Sequence, residues 1–217
     1  MIARFRDPFS GLTHFIGCLL AVLGLVLLVM KAADPIRPWH LATFSIFGAG
    51  MILLYLASTL YHWLPLSETG VQRLRRIDHI MIFVMIAATY TPVCLIPLRE
   101  SIGWELFFSV WTMAAIGLFV KIFWLQAPRW FSVMLYLVMG WLSILGIVPI
   151  VKALQSGAVI WLAGGGLFYT LGAVIYAVKK PDPWPNRFGF HELFHLFVML
   201  GSFSHFMMMY RYISLIN

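Results

Sequence analysis

The sequence predicts an all-α polytopic membrane protein, a seven-transmembrane helix bundle with its N-terminus cytoplasmic and its C-terminus outside. Three observations predict it. Hydrophobic residues fill 62% and charged residues only 11% of the 217 positions, and the mean hydropathy is +0.91, far from the composition of a soluble domain. A helical span needs about 20 apolar residues, and seven such stretches, roughly 9–30, 41–63, 77–97, 103–125, 130–151, 158–178 and 190–213, leave hardly room for anything else. Breaks rich in Pro, Gly and charge separate them: "KAADPIRPWH", "LPLSETGVQRLRR", "QAPR", "KALQSG" and "KKPDPWPNRFG". Residues 1–217 are accordingly read as one transmembrane domain.

The first span follows Arg4 and Arg6, as a signal peptide would, but it is too long for a typical h-region and no small-x-small cleavage site follows, so it is a retained helix. It carries His14 and Cys18. The second ends in "STLYHW", where Ser58 and His62, four residues apart, share a helix face. The third opens with "RRIDHIMIF", which places Asp78 and His79 in its first turn, and carries Pro92. The fourth has Glu105 and Lys121 near its ends, where long charged chains snorkel to the surface. Pro149 in the fifth span and Pro92 in the third should kink their helices. The "AGGG" run at 163–166 lets the sixth span approach another backbone closely. The seventh begins with "HELFH", containing His191, Glu192 and His195. Cys18 and Cys94 fall near opposite ends of their spans, which argues against a disulfide between them.

Orientation follows from the basic residues. With the N-terminus inside, ten of the fifteen (Arg4, Arg6, Arg73, Arg75, Arg76, Lys121, Arg129, Lys179, Lys180, Arg187) lie on the cytoplasmic side and five (Lys31, Arg37, Arg99, Lys152, Arg211) outside. The net charge of +7 therefore sits beside the spans and implies no nucleic-acid partner. The tryptophans and tyrosines near span ends, such as Trp39, Trp63, Trp104, Trp124, Trp130 and Tyr210, read as an aromatic belt.

This orientation brings three helices' polar residues to one layer near the cytoplasmic side: His62 and Ser58 from the second span, Asp78 from the third, His191 and His195 from the seventh. At about 1.5 Å rise per residue, His205 lies about 15 Å deeper and His40 starts the second span on the far side. His14 lies at the right level and is a candidate outer-layer group. His79 points about 100° away from Asp78 around the helix and reads as interfacial or loop-bonding.

Three imidazoles with an open fourth position form the catalytic zinc pattern rather than the structural one, though imidazole also suits Fe, Ni and Cu. Zinc would lower the pKa of water there towards about 7. Asp78 would then act as general base or orienting group, and Ser58 would hold that water or a substrate oxygen. Ionisable groups are costly inside a bilayer and usually functional, yet each has a plainer reading: interfacial histidine for His62, hydrogen-bonded bundle histidines for His191 and His195, helix N-cap for Asp78, and interhelical glue for Ser58. "HELFH" also matches the zincin protease run. No acid follows Glu192, and position 201 is Gly201 rather than the metzincin histidine, so that match is incidental and Glu192 faces the membrane surface or pairs with a basic neighbour.

The S-x-x-x-H of "STLYHW", the Asp of "RRIDHIMIF" and the H-x-x-x-H of "HELFH", with "LTHFIG" and "AATYTP", closely resemble the hemolysin III group of bacterial membrane proteins, relatives of the progestin and adipoQ receptors. The resemblance covers the whole chain. It implies a seven-helix, N-in bundle in the bacterial inner membrane, a zinc ion held by His62, His191 and His195, and Asp78 and Ser58 beside it. Eukaryotic relatives resemble lipid amide hydrolases of ceramide type, and the bacterial branch carries a haemolysin name and a link to membrane lipid homeostasis. The expected function is zinc-dependent hydrolysis of a lipid amide or ester bond. Alternatives are a pore-forming cytolysin and a non-catalytic sensor of membrane composition, both with structural zinc. Membrane lipids are the expected partners, with a homo-oligomer possible.

Overall fold

The computed structural model describes residues 5–184 and 188–216. Arg4 and Arg187, both counted in the charge asymmetry, lie outside the described residues. Helices α1 (Pro8–Ala33), α2 (Pro38–Trp63), α3 (Glu68–Leu95) and α4 (Gly103–Phe123) form the first four spans. The fifth, Arg129–Ala153, is broken: α5 (Arg129–Gly140) passes through a 3-10 segment (Trp141–Gly146) into α6 (Ile147–Ala153). Helices α7 (Ser156–Val178) and α8 (Phe190–Arg211) complete seven helical passages long and apolar enough to cross a membrane.

Alternating direction places the starts of α1, α3, α5 and α8 and the ends of α2, α4 and α7 at one end of the bundle. Helix α1 packs on both α2 and α8, which joins the first and last spans. Small residues set these approaches: a Cβ at Gly48 would press into Leu25, and one at Gly50 into Ala88. Around them Leu28, Phe44, Phe47, Phe83, Met208 and Met209 are fully or almost fully buried. Leu19, Phe123, Leu145 and Val148 instead face outward, as lipid-facing side chains do.

Several expectations need correction. Helix α3 begins at Glu68, capped by the Ser67 hydroxyl, which accepts from the Gly70 amide at 3.3 Å. Asp78 therefore lies ten residues inside the helix and cannot be its N-cap. The break in the fifth span precedes Pro149, which has no N–H to donate to Leu145 and whose ring crowds that carbonyl. Tyr90 bridges the break: its hydroxyl donates to the Gly140 carbonyl at 2.6 Å and accepts from the Ser143 amide at 2.9 Å. Of the three glycines at 164–166, only Gly165 makes a close approach, and to the His205 ring rather than to a backbone; a Cβ at Gly164 would meet nothing within 4 Å. Lys121 does not snorkel out. It is 1% exposed, and its ammonium donates to the Ser132 hydroxyl at 2.5 Å. Both cysteines are free.

Candidate metal centre

Each histidine owes its place to a helix end. His62 sits in the last turn of α2, and His191 and His195 stand one turn apart at the start of α8, so they share a face. One ring nitrogen from each lies within 4.8 Å of the others. The ring centroids are 5.0 Å (His62 to His191), 5.2 Å (His62 to His195) and 4.6 Å (His191 to His195) apart. His62 and His195 are buried and His191 is half-buried.

The hydrogen bonds around the rings decide which nitrogens are free. His62 Nδ1 lies 3.2 Å from the Asp7 carboxylate, and His195 Nδ1 lies 3.2 Å from the Ser10 carbonyl and 3.1 Å from the Thr13 hydroxyl. An acceptor at Nδ1 fixes the proton there and leaves Nε2 with a bare lone pair. The Nε2 atoms of His62 and His191 then face each other at 3.2 Å. Two nitrogens bound at 2.0–2.1 Å to a tetrahedral zinc stand about 3.3 Å apart. The donor set therefore fits a divalent ion: one nitrogen from each ring converges, and outer partners hold the His62 and His195 rings.

Asp7 is clamped to His62 twice, since its amide also donates to the His62 carbonyl at 2.9 Å. Nothing in the sequence singled it out; the usable signal is an acid immediately before a helix-initiating proline. His14 stacks flat on His195 with centroids 3.6 Å apart and the planes 8° from parallel. It is a packing partner that fixes the ring, as its depth suggested. Glu192 neither faces the membrane surface nor pairs with a base. Its carboxylate accepts from the Ser10 hydroxyl and, at 2.9 Å, from the Gly189 amide, which closes a capping box at the start of α8. That contact ties α8 to α1 and leaves Glu192 out of the ligand set.

Below the histidines opens a cavity of about 690 Å³. His191, His195, Ser58 and Asp78 all line it, whereas His62 stands behind the wall. Ser58 is buried and lies beside the Asp78 carboxyl. His79 lines the same cavity, so it is not interfacial; its ring Nδ1 is buried without a partner and its carbonyl accepts from Tyr136 at 3.5 Å. His205, too deep to join the cluster, lines the cavity further along and stacks on Tyr169.

These features define a class: a seven-helix membrane protein with a three-histidine, potentially metal-binding layer at one end of an internal cavity. The family model described as Haemolysin-III related matches residues 3–206, and the chain belongs to that family. It is 39% identical over 193 residues to the hemolysin-3 homolog of Bacillus subtilis (strain 168), covering 89% of this chain and 87% of that one. To the hemolysin-3 of Bacillus cereus it is 36% identical, covering 89% and 85%. The monocyte to macrophage differentiation factor of Homo sapiens is 26% identical over 211 residues, covering 93% and 82%. Seven spans and bacterial relatives of this kind make it a multi-pass protein of the bacterial inner membrane.

Proposed function

We propose that His62, His191 and His195 hold a zinc ion and that the protein hydrolyses an amide or ester bond of a membrane lipid, as part of membrane lipid homeostasis. The observation that carries this reading is the union of a three-imidazole set with an apolar cavity large enough for a lipid chain. Bound zinc would supply a polarised carbonyl and a water acidic enough to ionise near neutral pH.

The chain's own residues supply the rest. Asp7, Ser10 and Thr13 hold the imidazole tautomers that point lone pairs inward. Asp78, the one carboxylate lining the cavity, takes the proton from the attacking water and returns it to the leaving amine or alcohol. The Ser58 hydroxyl beside it fixes the carboxyl's direction. The cavity's apolar walls hold the acyl chain and exclude bulk water. The excess of basic residues at this end of the bundle supports a cytoplasmic position for the chemistry.

The test is release of fatty acid from a panel of amide- and ester-linked lipids by purified, zinc-loaded protein, with His191→Ala and Asp78→Asn alongside. Release by wild type that both variants lose supports the proposal. Zinc-loaded protein that releases nothing from any lipid class overturns it. The name hemolysin-3 carried by the Bacillus relatives favours a second reading, membrane permeabilisation. It predicts conductance across a planar bilayer that His191→Ala diminishes; absence of current at every protein concentration removes it.

A further inference from the structure

Among the described residues, four basic side chains, Arg75, Lys121, Arg129 and Lys179, line the cavity, against one acid, Asp78. Arg75 and Lys179 are exposed and form a rim. Arg129 is half-buried and already engaged: it donates to the Tyr176 carbonyl at 3.2 Å and its guanidinium lies 4.6 Å from the Tyr176 ring centre. Lys121 differs from all three. It is 1% exposed, its only hydrogen bond is to Ser132, and among the described residues no carboxylate pairs with it.

A buried ammonium without a counter-charge is strongly disfavoured. Its position at the end of α4 offsets part of that through the helix dipole. The ammonium carries three N–H donors and uses one, so two remain for an acceptor from the cavity. Beyond this charged end the walls turn apolar, with Leu54, Ile86, Val93, Leu106, Ile150 and Leu162. Asp78 and Val93 both line the space from α3, and fifteen residues at 1.5 Å make it about 22 Å long. That exceeds the roughly 15 Å of hydrocarbon in one leaflet. A space of this length and volume has room for an extended acyl chain.

We propose that Lys121 anchors the head group of an anionic amphiphile, its ammonium binding a carboxylate or phosphate while an acyl chain runs down the apolar length of the cavity. Arg75 and Lys179 draw the anion in from the rim. This deepens the lipid reading of the cavity by assigning its ligand a negative charge, and it requires neither turnover nor zinc.

The experiment measures equilibrium binding of hexadecanoate and of uncharged hexadecanol to the detergent-purified full chain, for wild type, Lys121→Met and Lys121→Arg, with zinc content shown equal in all three. One charge-assisted hydrogen bond is worth about a tenfold change in Kd. Wild type is expected to prefer hexadecanoate by about tenfold or more, Lys121→Met to lose about tenfold of that preference, and Lys121→Arg to keep it. Acetate and inorganic phosphate at millimolar concentration should compete weakly, because the chain supplies most of the affinity. If inorganic phosphate displaces hexadecanoate as well as unlabelled hexadecanoate does, the site belongs to a free anion and the amphiphile is overturned. Equal binding of acid and alcohol to wild type, or a preference unchanged in Lys121→Met, also overturns it; the wild-type comparison stands even where Lys121→Met does not fold. Failure here leaves hydrolysis of neutral lipids intact, whereas loss of the hydrolase reading leaves the charge preference measurable.

Discussion

Two halves of this molecule are built differently. Over their most hydrophobic windows α2, α3 and α8 are 56%, 50% and 44% buried, whereas the broken fifth span and α7 are 22% and 17% buried. The first group carries His62, Asp78, His191 and His195 and is tied together by the Asp7, Ser10 and Thr13 contacts from α1. The second forms much of the cavity wall, with a 3-10 interruption held by a single tyrosine. The contrast teaches a division of labour: densely packed helices hold the histidine layer in place, and sparsely packed ones leave room for a cavity.

The hardest blow to the packed half is loss of a ligand. His62→Ala, His191→Ala and His195→Ala should each fall from about one zinc per chain to almost none by elemental analysis. Retention of zinc in any one would remove that histidine from the ligand set. Asp78→Asn should keep zinc and melting temperature but lose about a hundredfold or more of fatty-acid release, the usual worth of a positioned general base. Asp7→Asn acts one layer out and should weaken zinc affinity by about tenfold to a hundredfold in a chelator competition, without abolishing binding. The gentlest change tests the loose half: Tyr90→Phe removes the bridge across the 3-10 break and should cost about 1 kcal/mol of stability in thermal unfolding, with zinc content unchanged. Zinc loss in Tyr90→Phe would show the two halves to be coupled.

Hydropathy located every span, because the number of apolar residues needed to cross a bilayer is set by its thickness. It says nothing of where a helix continues into water. "ETGVQRLRR" is polar, so roughly the first two and a half turns of α3 read as a connection, although Ser67 before Glu68 is a legible cap. The histidine layer was legible because span direction and residue count together give depth. Asp7 was not, since no spacing rule connects residue 7 to residue 62; only the packing of α1 on α2 does. Lys121 misled for a related reason: position near a span end gives depth but not azimuth, and this side chain points inward to Ser132.

The clamp between Asp7 and His62 has a practical corollary for anyone shortening the polypeptide. A version trimmed to begin at Pro8 would preserve all seven hydrophobic passages and every imidazole, and would insert normally by any hydropathy criterion. It would nonetheless surrender the carboxylate that sets His62's tautomer, together with the amide's hydrogen bond to the His62 carbonyl and the stacking of Phe5 on Trp63, so a poorer grip on added metal after such trimming would report on the end of α2 rather than on the spans.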